Sequence, residues 1–200
     1  MKHYDIDQDM RYLQLLSQSF PTVAEASTEI INLQAILNLP KGTEHFLADI
    51  HGEYEAFQHV LKNASGNIKR KVNELFGTTL REQEKRELCT LIYYPEEKLE
   101  LVKQNEPDIN DWYHITLHQL VAVCRDVSSK YTRSKVRKSL PTDFSYIIQE
   151  LLHERTDDHD KAAYVNVIVD TIISTGRADD FIIAIANVIQ RLAIASLHIL

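Results

Sequence analysis

Apolar residues recur at helical spacing along most of this chain. Leu13, Leu15, Leu16 and Phe20 set the period over residues 8–19, and Val23, Ile30, Ile31, Leu33, Ile36 and Leu37 repeat it over 22–38, with Pro21 and Pro40 as punctuation. The pattern then switches to alternation. Residues 45–50, His45-Phe46-Leu47-Ala48-Asp49-Ile50, predict a short buried strand that ends before Gly52. Helical spacing returns at Glu53–Asn63 and dominates to about residue 195. Ile68–Phe76 predicts a helix closed by Gly77, and Thr79-Leu80-Arg81-Glu82 predicts a capping box that opens a helix through Tyr94. Pro95 starts the next helix, with Glu96 and Glu97 in the first turn where the helix dipole favours acids. Trp112–Ser128, Phe144–His153 and Ala162–Ile173 follow, and Asp179 is the expected cap of the last helix. Phe181–Leu200 is apolar at 15 of its 20 positions, but Asn187, Gln190, Arg191 and His198 interrupt it. That stretch predicts a buried helix running into a strand over 196–200 and not a membrane span.

Two strands are thus separated by about 140 residues of helix, where one parallel crossover needs only about a dozen. The chain is expected to be mainly α. Its parts are the N-terminal helices (1–43), a strand, turn and following helix (44–63), a helical insertion with its own packing (64–195) and the start of a second strand (196–200).

The chemistry of interest lies where the first strand ends. Side chains two apart on a strand share a face, so the carboxylate of Asp49 and the imidazole of His51 are expected to converge, with Phe46, Ala48 and Ile50 on the other face. Together they make half of a metal site, and Gly52 lets the backbone turn away without adding bulk. The same residues also suit ordinary turn formation after a strand. His45 lies four residues back, about 13 Å along a strand, and reads as a structural or edge histidine.

Other clusters are weaker. Lys130-Tyr131-Thr132-Arg133-Ser134-Lys135-Val136-Arg137-Lys138 carries five positive charges in nine residues. Lys130, Arg133, Lys135 and Arg137 could hold a phosphate, and the run equally suits a solvated helix face. Lys69-Arg70-Lys71 is a shorter version of the same idea. His114 and His118 stand four apart on a helix without an evident third ligand and read as a surface pair. His153 and Asp157-Asp158-His159-Asp160 read as a solvated bend and helix start, and Cys89 and Cys124 as buried structural thiols.

Composition narrows the setting. At 200 residues the chain can bury one substantial core, and 44% apolar with 26% charged residues argues against disorder. A formal charge of −7 opposes non-specific attachment to nucleic acid or an anionic membrane. Two distant cysteines and an N-terminus without a signal-type apolar stretch lead to an expectation of the reducing cytoplasm.

Phe46-Leu47-Ala48-Asp49-Ile50-His51-Gly52 resembles the first motif of calcineurin-like metallophosphoesterases, whose Asp and His bind a catalytic metal. The longer run from Pro21 to Phe46 resembles the bacterial class III fructose-1,6-bisphosphatases. So do Leu91–Leu99, Ser128–Lys138 and Gly176–Ile183. The resemblance implies an incomplete α/β metallophosphoesterase core, represented here by two strands, with a large helical insertion. It also implies hydrolysis of the 1-phosphate of fructose 1,6-bisphosphate in gluconeogenesis. Asp49 and His51 would be metal ligands, manganese the expected ion with other divalent metals admissible, and a sugar bisphosphate the partner; homo-oligomers of a full-length protein are compatible with it.

The family's later Gly-Asp-x-x-Asp-Arg-Gly and Gly-Asn-His motifs are absent, and Gly176 is the last glycine. The chain therefore reads as an amino-terminal portion, inactive alone because half of a two-metal site is missing. The competing readings are another calcineurin-like phosphoesterase and a helical regulatory module that binds a phosphorylated effector.

Overall fold

The computed structural model describes residues 6–48, 51–153 and 159–199, which form two compact units, 1–40 and 41–200. The first contains α1 (Ile6–Ser19) and α2 (Val23–Ile36). Thr22 caps α2 and Glu25 closes a capping box on it, satisfying the first turn's amides locally. Despite its apolar residues α2 buries none, and Val23, Ile30, Ile31 and Leu33 are exposed.

The second unit is helical except for two short strands. In chain order it comprises β1 (Glu44–Leu47), α3 (Tyr54–Asn63), α4 (Asn67–Phe76), α5 (Glu82–Tyr93), α6 (Pro95–Asn105), α7 (Ile109–Ser128), α8 (Arg133–Ser139), α9 (Ser145–His153), α10 (His159–Ser174), α11 (Ala178–Ala193) and β2 (Ser196–Ile199). The mainly α expectation holds. β1 and β2 pair in parallel, Glu44 opposite Ser196 and Leu47 opposite Ile199.

The core is built on α7 and α11. Leu117, Leu120, Val123, Cys124 and Val127 of α7 pack with Phe181, Ile182, Ile185, Ile189 and Leu192 of α11, all buried. Their spacing is the three-and-four repeat of an apolar helix face. Leu88, Leu91 and Ile92 of α5 and Ile68 and Val72 of α4 close one side of this core, and Phe144 meets the Phe181 ring edge to face at 5.2 Å. Both thiols are buried, as expected of structural cysteines.

Several local expectations change. The box opening α5 uses Arg81 and Glu84, not Thr79 and Glu82: the Glu84 carboxylate accepts from the Arg81 amide at 2.7 Å. α7 begins three residues before Trp112, because the Asp108 carboxylate accepts from the Asp111 amide. Asp179 is not a cap. It lies inside the first turn of α11 and accepts from Lys103 Nζ and the Tyr113 hydroxyl, each at 2.6 Å, so it ties α6 and α7 to α11. Partial burial pushes its carboxyl up, but these two donors outweigh that and hold it below the usual carboxylate range.

Candidate functional site

β1 is anchored from its start. The Ala195 amide donates to the Thr43 carbonyl at 2.8 Å just before the paired region, and the two segments approach closely there. Gly42 makes this approach feasible, since a Cβ at that position would lie 2.2 Å from the Ala195 Cβ. Along the strand, His45 is buried while Phe46 is exposed and stacks on His198, with ring centroids 4.7 Å apart.

The regular strand ends at Leu47. Asp49 and Ile50 lie outside the described residues. His51 follows in a left-handed conformation, φ 50°, and Gly52 continues it at φ 73°, before the Gly52 carbonyl accepts from the Tyr54 amide at 2.9 Å and α3 begins. The alternation argument therefore does not carry to His51: it stands on a turn and not on an extended strand. Within the strand His45 is turned inward and Phe46 and Ala48 outward, so they occupy opposite faces as the alternation predicts. His51 is exposed, at the carboxyl end of a strand in a parallel pair. Ligand chemistry in α/β sheets collects beyond such ends.

The His51 imidazole, exposed on a turn, is a suitable donor for a divalent transition ion and fills part of its coordination sphere. Among the described residues no group of three His, Cys, Asp or Glu side chains is placed to hold a metal. His114 and His118 lie 4.8 Å apart by ring centroid, and Asp170 of α10 comes within 3.6 Å of His114 Nε2. Burial, then the neighbouring His114, keeps His118 below the ordinary imidazole value. Of the acidic bend, residues 154–158 lie outside the described residues.

The basic run divides. Arg133, Lys135 and Arg137 are exposed on α8, where Lys135 Nζ sits 4.3 Å from the centre of the Tyr131 ring. Lys130 instead turns toward β1 and donates to Thr43 Oγ1 at 3.0 Å. Burial, then the charges of Lys71 and Arg70, push its ammonium below the ordinary lysine value.

Sequence reasoning missed what gathers at the amino end of β1. His45 Nδ1 lies 2.8 Å from Ser65 Oγ, and Asn67 Nδ2 donates to the Ala193 carbonyl at 3.0 Å and to Thr43 Oγ1 at 3.3 Å. The residues involved are 20 to 126 positions apart in the chain, so no local pattern marks them.

Comparison with known proteins decides the family. The model of the firmicute fructose-1,6-bisphosphatase family matches residues 11–200. The chain belongs to that family. Among curated relatives it is 77% identical over 195 residues to the class 3 fructose-1,6-bisphosphatase of Phocaeicola vulgatus, a match covering 98% of this chain and 29% of the relative. It is 79% identical over 191 residues to the protein of the same name from Bacteroides fragilis, covering 96% of this chain and 29% of that one. The Clostridium botulinum protein of that name is 63% identical over 195 residues, 98% of this chain and 29% of the relative. The chain thus spans about 29% of the length of these family members. No solved structure matches it significantly. Among the described residues no helix is long and apolar enough to cross a membrane.

Proposed function

We propose that this chain carries the first metal-binding turn of a fructose-1,6-bisphosphatase, which hydrolyses the 1-phosphate of fructose 1,6-bisphosphate to fructose 6-phosphate and phosphate. The observation that carries the reading is the family match over residues 11–200, with relatives so named at 63% to 79% identity. The place of His51 and Gly52 supports it: they follow β1, one strand of a parallel pair, and in this reading that pair begins a metallophosphoesterase core.

In this reading Asp49 and His51 are ligands of one divalent ion, manganese by preference. When bound, such an ion polarises a phosphoryl oxygen and lowers the pKa of a water. The chain's own part is geometric. The left-handed backbone at His51 and Gly52 swings the chain off the strand, and Gly52 leaves open space in front, with no atom within 4 Å of where a Cβ would stand. α3 then leads the backbone away from the ligands. Two side chains are too few for an octahedral ion, so the 200 residues alone are expected to release no phosphate.

The test uses a chain of the relatives' full length that contains this sequence. Asp49→Ala and His51→Ala should each lower the rate of phosphate release from fructose 1,6-bisphosphate by about 100-fold or more, because loss of a ligand is felt at least as strongly as loss of its supporting partner. Full activity in either variant would contradict the assignment. Preference for phosphopeptides or nucleotides over the sugar bisphosphate would contradict the substrate.

A further inference from the structure

We propose that the seam between α7 and α10 holds a second metal site, for a divalent transition ion of the imidazole-preferring class, with His114 and His118 as its two protein donors. The histidines stand four apart on α7, which puts them on one face of the helix and one turn apart. Their ring centroids are 4.8 Å apart. Two imidazoles that share a zinc-like ion through bonds of about 2.0–2.1 Å have their centroids about 5 Å apart, so the pair already stands at chelating distance.

A second pair at the same spacing faces it from α10. Asp170 Oδ1 lies 3.6 Å from His114 Nε2, and Asn166 hydrogen-bonds the His118 side chain. Asn166 and Asp170 are themselves four apart, so the two helices meet pair to pair with the order reversed. Carboxylate and amide partners of this kind fix the ring orientation of metal-binding histidines. Each imidazole has two nitrogens, and engagement of one by α10 leaves the other for an ion. The Asp170 carboxylate also adds negative charge beside the pair.

The seam is both firm and open. Val165 and Val169 are buried and hold the inner face of α10 in the core, while the side chains of His114 and Asp170 are 41% and 66% exposed. An ion can therefore enter from solvent, and water completes its coordination. Two direct donors with water accord with the absence, among the described residues, of a three-donor group.

The ion preference separates this site from the turn at His51. Imidazole suits zinc, copper and nickel, whereas manganese lies at the weak end of the first-row order. The fold matters too: His114 and His118 are brought together only while α7 is helical. Such an ion binds the folded chain in preference to the unfolded one, and so stabilises the helix that carries the core.

The experiment titrates zinc into the 200-residue chain at neutral pH, following the His114 and His118 ring signals by NMR and the urea midpoint in parallel. Both signals are expected to move together and to saturate, with magnesium moving neither, and the midpoint is expected to rise at saturating zinc. His114→Gln and His118→Gln should each weaken binding about tenfold or more, read on the histidine that remains. Rings unmoved at millimolar zinc (~1 mM, well above the Kd of a useful site) overturn the proposal. So does a response of one ring alone, or unchanged affinity in either variant, which is the behaviour of two independent surface histidines. The unsubstituted chain supplies the first reading whether or not a variant folds. Because the signals belong to the α7 rings, failure here leaves the roles of Asp49 and His51 untouched.

Discussion

Gly42 has no room for a side chain, and the reason is geometric. The 2.2 Å separation that a Cβ would make with Ala195 Cβ cannot be relieved by a rotamer change, since neither atom is the end of a flexible chain. Gly42→Ala is expected to lose about 1–3 kcal/mol by forcing apart the start of the β1–β2 ladder, measurable as a lowered urea midpoint. His45 gives a pH-dependent counterpart. Its folded-state pKa is below the ordinary 6.5, so between the two values the unfolded chain binds the extra proton. The stability it contributes is present above 6.5 and is lost as pH falls through the folded value. A His45→Gln chain should show a flatter midpoint between pH 7 and pH 5, and identical slopes would contradict this account. At this scale the sequence offered candidate residues but not where they face. The alternation that put Asp49 and His51 on one face assumed a strand through residue 51, whereas the regular strand ends at Leu47 and His51 has positive φ.

Elements were more legible than single side chains because apolar periodicity reports burial over several turns at once. α11 shows this: Phe181, Ile182, Ile185, Ile189 and Leu192 sit at helical spacing, and all are buried. Ile185→Ala is expected to cost about 2–5 kcal/mol, read from chemical denaturation. Element ends were harder to place. Thr22 and Glu25 carry a readable capping signal, yet Arg81 has no conventional cap side chain, and its helix starts there because Glu84 reaches back to it. Asp179 follows a glycine turn like a cap, but Lys103 and Tyr113 claim it from other helices. Cys124 tests the packing of α7. Burial pushes its thiol up to about 12, so a thiol reagent at pH 8 should label it only as the chain unfolds. Rapid labelling of Cys124 in the native chain would show that the α7–α11 core opens.

For the molecule as a whole, the two parallel strands carry more meaning than their eight residues suggest, because they join the first and last elements of the second unit. Beyond Leu47 the chain turns through His51 and Gly52, and before His45 it gathers Thr43, Lys130 and Asn67. The helical bulk was evident from residue pattern alone. The basal cluster was not, because its hydrogen bonds join segments that only the folded helices bring together. The family match over residues 11–200 supplies the chemical setting, and the chain spans about 29% of the relative's length. The decisive measurement is a titration of manganese into the 200-residue chain, following the paramagnetic resonance of the free aqueous ion. One weakly bound ion per chain, lost in both Asp49→Ala and His51→Ala, is the predicted result; equal binding in all three chains would contradict the metal-binding turn.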